Sequence, residues 1–78
     1  MSASQSNLNL TPVAEASRAL LREVRFAGGK MTIVATFEAL AKAQELRKAG
    51  YIHIGGKGYD LRLTGLGQAY LDMLMRAH

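Results

Sequence analysis

Apolar residues recur every three positions at Phe37, Leu40, Ala43 and Leu46. That spacing keeps one side of a helix apolar and leaves the other polar. Glu38, Lys42, Glu45 and Lys48 fall on the polar side, and Glu38 and Lys42 form an i,i+4 pair in the favourable order. Thr36 is placed to cap the start, its hydroxyl accepting from an unpaired backbone N–H. Gly50 is placed to stop the helix, because a left-handed C′ residue costs glycine little. Arg47 and Lys48 occupy the last turn, where cations suit the helix dipole. Beyond Gly50 the period drops to two. Tyr51-Ile52-His53-Ile54 and Tyr59-Asp60-Leu61-Arg62-Leu63 alternate, and Gly55-Gly56-Lys57-Gly58 separates them as a hairpin loop. Pairing Ile54 with Tyr59 sets His53 against Asp60, Ile52 against Leu61 and Tyr51 against Arg62. This register predicts a buried face of Ile52, Ile54, Tyr59, Leu61 and Leu63. It predicts a wet face of Tyr51, His53, Asp60 and Arg62.

The flanks extend the pattern. Residues 1–10 are rich in Ser, Asn and Gln and are expected to form a disordered tail. Thr11-Pro12 reads as a helix start, with proline at the first helical position. Val13, Ser17, Leu20, Leu21 and Val24 form its apolar stripe, Arg18, Arg22 and Arg25 lie opposite, and Gly28-Gly29 ends it. Lys30 to Val34 is β-branched enough for a short strand on the hairpin edge, although Thr32 could instead cap a helical turn. After the hairpin, Thr64 is again an N-cap. Leu66, Ala69, Tyr70, Met73 and Ala77 line one face of the last helix, with Leu71, Leu74 and Met75 outside that stripe. A helix apolar around so much of its girth predicts a dimer or partner contact at Leu71, Leu74 and Met75. A wide groove among the other helices would satisfy the same excess.

Seventy-eight residues make a single domain, spanning 11–78, with a small core. At 49% hydrophobic the chain is expected to fold. No apolar run approaches the ~20 residues of a membrane helix. The first residues lack the basic and apolar regions of a signal peptide, so a cytoplasmic location is expected and no membrane partner. Absence of cysteine removes disulfides and thiolate metal sites. Of the net charge of +4, the segment from Lys42 to Arg62 carries +3, from Lys42, Arg47, Lys48, Lys57 and Arg62 against Glu45 and Asp60. This concentration suggests a polyanionic partner, the plain alternative being a solvated basic face.

Leu46-Arg47-Lys48-Ala49-Gly50-Tyr51-Ile52, the hairpin, then Tyr59-Asp60-Leu61-Arg62-Leu63-Thr64 with Gly67 and Tyr70-Leu71, resembles the C-terminal part of a winged helix-turn-helix domain over residues 36–74. In that family a recognition helix ends in a Gly-Leu/Tyr-Ile stop, a wing follows, and a Leu-Thr-x-x-Gly start opens the last helix. The resemblance implies a small α+β, winged-helix-like domain in the order helix, short strand, helix, β-hairpin, helix. It implies duplex DNA as partner, with Lys42, Arg47 and Lys48 on phosphates or bases, and Lys57 and Arg62 on backbone or minor groove. The chain departs from the family before Thr36: only Met31 to Thr36 stands where a positioning helix belongs.

Catalytic and metal chemistry is not expected. His53 and His78 fall in different settings, and a zinc site needs three or four donors. Gly28-Gly29-Lys30 and Gly55-Gly56-Lys57-Gly58 lack the spacing of a phosphate loop and read as turns. No nucleophile and base pattern is present, so the chain reads as a non-enzyme without cofactor. A DNA-binding transcriptional regulator, as a homodimer, is one expectation. A small phage or mobile-element interaction module that occludes a host complex is the second. A self-assembling structural protein using Leu71 and Met75 is the third.

Overall fold

The computed structural model describes residues 10–76. The expected tail up to residue 9, and Ala77 and His78, lie outside them. Three helices and three strands follow in the order α1 (Glu15–Phe26), β1 (Lys30–Thr32), α2 (Phe37–Lys48), β2 (Ile52–Gly55), β3 (Asp60–Leu63) and α3 (Gly65–Arg76). The fold is α+β, and its element order is the expected one. The sheet runs β1-β3-β2, and both pairings are antiparallel. The short strand adds to the hairpin edge as anticipated, on the β3 side. Among the described residues no helix is long and apolar enough to cross a membrane.

Helix α2 begins and ends where its signals lie. Ala39 N–H donates to Thr36 Oγ1 at 3.1 Å. At the other end Gly50 has φ +84°. Its N–H reaches Arg47 O, and Tyr51 N–H reaches Leu46 O, the paired bonds of a Schellman stop. Tyr51 and Leu46 are both buried, supplying the apolar contact that accompanies such a stop. Helix α3 opens on Thr64, whose Oγ1 accepts from Gly67 N–H at 3.0 Å and donates to Gly50 O at 2.7 Å.

Helix α1 starts later than Thr11-Pro12 suggests. Its N-cap is Ala14, which has no capping side chain of its own. The cap comes from α2 instead: Glu45 accepts from Ala14 N–H at 3.2 Å and from the Ser17 hydroxyl. A carboxylate there also meets the positive end of the helix dipole. These bonds, Ser17 first, hold the Glu45 carboxyl below its ordinary range against the opposing effect of burial. Glu45 is therefore a strut between two helices, a role that its place on the polar side of α2 does not by itself indicate. Further contacts fasten the chain before α1. Tyr51 OH donates to Thr11 O, and Val13 N–H donates to Tyr70 OH at 3.4 Å. The two tyrosine rings stack 4.4 Å apart, 12° from parallel. Leu10, assigned to the tail, packs partly buried against the core.

That core joins Val13, Leu20, Leu21 and Val24 of the α1 region, Ile33, Ala43 and Leu46, Ile52 and Leu61 of the sheet, and Tyr51, Tyr70 and Leu71. Several expectations are corrected. Phe37 is 87% exposed, leaving Ala43 and Leu46 as the buried face of α2. The hairpin register is displaced by two: Ile52 faces Leu63, His53 faces Arg62, Ile54 faces Leu61 and Gly55 faces Asp60. The turn causes this. Gly58 N–H donates to Gly55 O, with left-handed glycines at 56 and 58, so the loop takes in Tyr59. Tyr59 stands at the surface, and its carbonyl accepts from Ile33 N–H. A shift of two keeps parity, so Ile52, Ile54, Leu61 and Leu63 still point inward, and His53, Asp60 and Arg62 outward. Tyr51 is fully buried, contrary to its place on the predicted wet face. The core face of α3 is Gly67, Tyr70 and Leu71, with Leu74 at its edge, while Leu66 and Met73 are exposed.

Candidate nucleic-acid interface

The five cations expected to form the interface fall into three places. Arg47 and Lys48 are exposed in the last turn of α2, and Arg47 Nε donates to Gln44 Oε1 at 3.1 Å. Lys57 is exposed at the hairpin tip, and Arg62 is exposed in the middle of β3. Lys42 departs from this company. It lies about 140° around α2 from Arg47 at 100° per residue. It is half-buried, lining a groove with Leu20 and Glu23 of α1.

The sheet separates Arg62 from α2. Helices α1 and α2 pack on the inward face that carries Ile52 and Leu61, whereas Arg62 points to the outer face. Strand β2 is an edge strand, joined to α2 through Ala49, Gly50 and Tyr51. Arg47 and Lys48 thus sit at one side of the β2 edge, with the outer sheet face on the other. The five residues do not make one patch. They make two exposed cationic groups on either side of an edge strand, with Lys42 outside both.

Both ion pairs among the described residues use an α1 arginine: Arg18 with Glu15 at 2.9 Å, and Arg25 with Asp72 of α3 at 3.3 Å. Arg47, Lys48, Lys57 and Arg62 take part in neither. Two neighbours of Arg62 are not among the residues expected at the interface. Lys30 lies directly opposite it on β1, and His53 directly opposite on β2. The signal that finds them is strand pairing, which a one-strand reading of charge does not contain.

Of the expected partner residues, Leu71 is 2% exposed and belongs to the core of the monomer. Leu74 is half-buried and Met75 is 66% exposed. They line a groove with Phe26, Arg22 and Arg25, and Phe26 is itself 85% exposed. Comparison with protein-family models, with curated proteins and with solved structures finds no match to this chain.

Proposed function

We propose that the protein binds nucleic acid, most simply duplex DNA, through the exposed end of α2 and the β2–β3 hairpin, in the manner of a winged helix. The observation that supports this reading is the set Arg47, Lys48, Lys57 and Arg62: exposed, outside both ion pairs, and divided between the end of α2 and the hairpin that follows it, on the two sides of the β2 edge. Unpaired surface cations lose little on meeting phosphates and release the counterions condensed there. Helix α1, strutted to α2 through Ser17 and Glu45, supports the rigidity such a helix needs. Only Ile33 to Thr36 link β1 to α2, so α1 takes the bracing role that a positioning helix has in a winged helix. Fluorescence anisotropy with a labelled 20-base-pair duplex tests the reading. Four phosphate contacts give a log–log salt slope of about −3.6, or roughly a hundredfold loss of affinity between 50 and 200 mM salt. Affinity indifferent to salt, or unchanged in an Arg47→Ala/Lys48→Ala/Lys57→Ala/Arg62→Ala variant, refutes it.

A second reading, a protein-interaction module, is favoured by one observation, the exposed Phe26 and Met75 beside Leu74. An apolar groove rimmed by Arg22 and Arg25 suits an acidic amphipathic segment. Partner capture from nuclease-treated lysate that is lost on Phe26→Ser/Met75→Ser supports it over DNA binding, and a homodimer through this groove would appear as a doubled mass in sedimentation.

A further inference from the structure

We propose that the outer face of the three-stranded sheet is itself a phosphate-backbone surface, in which Lys30 and His53 join Arg62. The inference rests on the nucleic-acid reading above and extends it from Arg62 across the face to both neighbouring strands. Lys30, Arg62 and His53 stand abreast in one row, each directly opposite its neighbour across the ladder. Adjacent strands lie about 4.8 Å apart, so the row spans roughly 10 Å. Like charges directly opposite destabilise a sheet, and Lys30 and Arg62 are such a pair. The acid on that face makes no ion pair with either. Asp60 Oδ1 accepts from Thr32 Oγ1 at 2.8 Å, and Oδ2 lies over the turn, where a Cβ on Gly56 would come within 2.2 Å of it. The carboxylate is thus turned towards the hairpin tip. Lys30, Thr32, His53, Gly56 and Arg62 line a shallow depression there, with Asp60 also on its wall, so the row is open to solvent and slightly concave. His53 contributes a ring N–H donor in either protonation state. A row whose cations form no ion pair, set around a trough with donors from three strands, fits successive phosphates of one nucleic-acid strand.

Two measurements on the whole protein test this. In a titration of ¹⁵N-labelled protein with a random 20-base-pair duplex, the amides of Lys30, His53 and Arg62 shift together. In anisotropy with the same duplex, Lys30→Ala weakens binding three- to tenfold and flattens the salt slope by about 0.9. Its melting temperature meanwhile stays level or rises, because a like-charge pair has gone. Lys30→Glu, which sets opposite charges across the ladder, raises the melting temperature further and weakens binding more. A lysine with only a structural role would lower stability instead. Shifts that reach α2, Lys57 and Arg62 but not Lys30 or His53, with wild-type affinity in Lys30→Ala, overturn the inference and leave the reading above standing. Absence of binding at any salt removes both.

Discussion

Gly67→Ala is expected to destabilise this domain, although it replaces a helical glycine with the best helix former. A Cβ at Gly67 would lie 2.2 Å from Tyr51 O and 2.9 Å from Leu63 Cδ1. Ordinary contact requires about 3.5 Å, so α3 would have to retreat by roughly 1 Å. The groups beside the contact are already engaged: Thr64 N–H donates to the same Tyr51 carbonyl at 3.0 Å, and Thr64 Oγ1 donates to Gly50 O. Overpacking costs about 1–3 kcal/mol, and a weakened buried hydrogen bond adds about 0.5–1.5 kcal/mol. The helix-propensity gain returns about 1 kcal/mol at most. The net is about 2 kcal/mol, or roughly 8–16 °C in melting temperature for a domain of this size. Gly65→Ala is the control. It lies in the same helical turn, and its Cβ would meet nothing within 4 Å, so it stays neutral or gains up to about 1 kcal/mol. Thermal unfolding followed by circular dichroism compares the two. Opposite signs two residues apart are the expected result. If Gly67→Ala melts at or above the wild type, α3 does not seat against the Tyr51 carbonyl as described.

Other expectations follow from the same contacts. Burial, with a smaller effect from Tyr70, pushes the Tyr51 hydroxyl up to about 12. A folded-state value above the unfolded one near 10 means that stability is complete below about pH 10 and falls as pH rises towards 12. Tyr51→Phe should flatten that alkaline loss in urea titrations, while costing about 1 kcal/mol at pH 7 through the lost bond to Thr11 O. Glu45 carries the opposite sign. Its lowered value contributes stability above the ordinary 4.5 that is lost as pH falls through the folded-state value. Glu45→Gln should therefore reduce the acid dependence of unfolding, and Ser17→Ala should lower the urea midpoint at pH 7 by an amount matching about 1–2 kcal/mol. Leu71→Ala should cost about 2–5 kcal/mol, as a buried truncation does, whereas Met75→Ser should leave the melting temperature within about 2 °C, surface substitutions being near neutral.

What was legible in the chain is what local chemistry decides. Thr36, Gly50 and Thr64 each act within four residues of themselves, and each marks its boundary. Strand alternation placed Ile52, Ile54, Leu61 and Leu63 inward, and parity protected those faces even though the register moved by two. What was hidden depends on distant partners. The cap of α1 is supplied by Glu45, 31 residues from Ala14, so the local cue at Thr11-Pro12 misled. Tyr51 alternates like a strand residue, but it is the C″ position of a helix stop, with its N–H bound to Leu46 O and its carbonyl to Thr64. Those bonds orient its ring into the core against Tyr70. Leu71 looked surplus because a helical wheel of α3 alone does not show that α1 packs against it.

The same limit applies to the candidate interface. Charge counted along the chain finds Arg47, Lys48, Lys57 and Arg62, since they fall within one segment, and it finds Lys42 for the same reason. The fold turns Lys42 towards α1 and brings Lys30, 32 residues from Arg62, into direct opposition with it. Cross-strand neighbours are set by register, so the composition of this face was fixed only when the β1–β3 pairing was known. Like charges abreast on a sheet are unfavourable for folding alone, and neither cation of the row forms an ion pair, the one nearby acid being bonded to Thr32. A phosphate strand lying along the row would supply the missing counter-charge. The stability and the affinity of Lys30 variants should therefore move in opposite directions, a combination that neither a structural lysine nor an idle one produces.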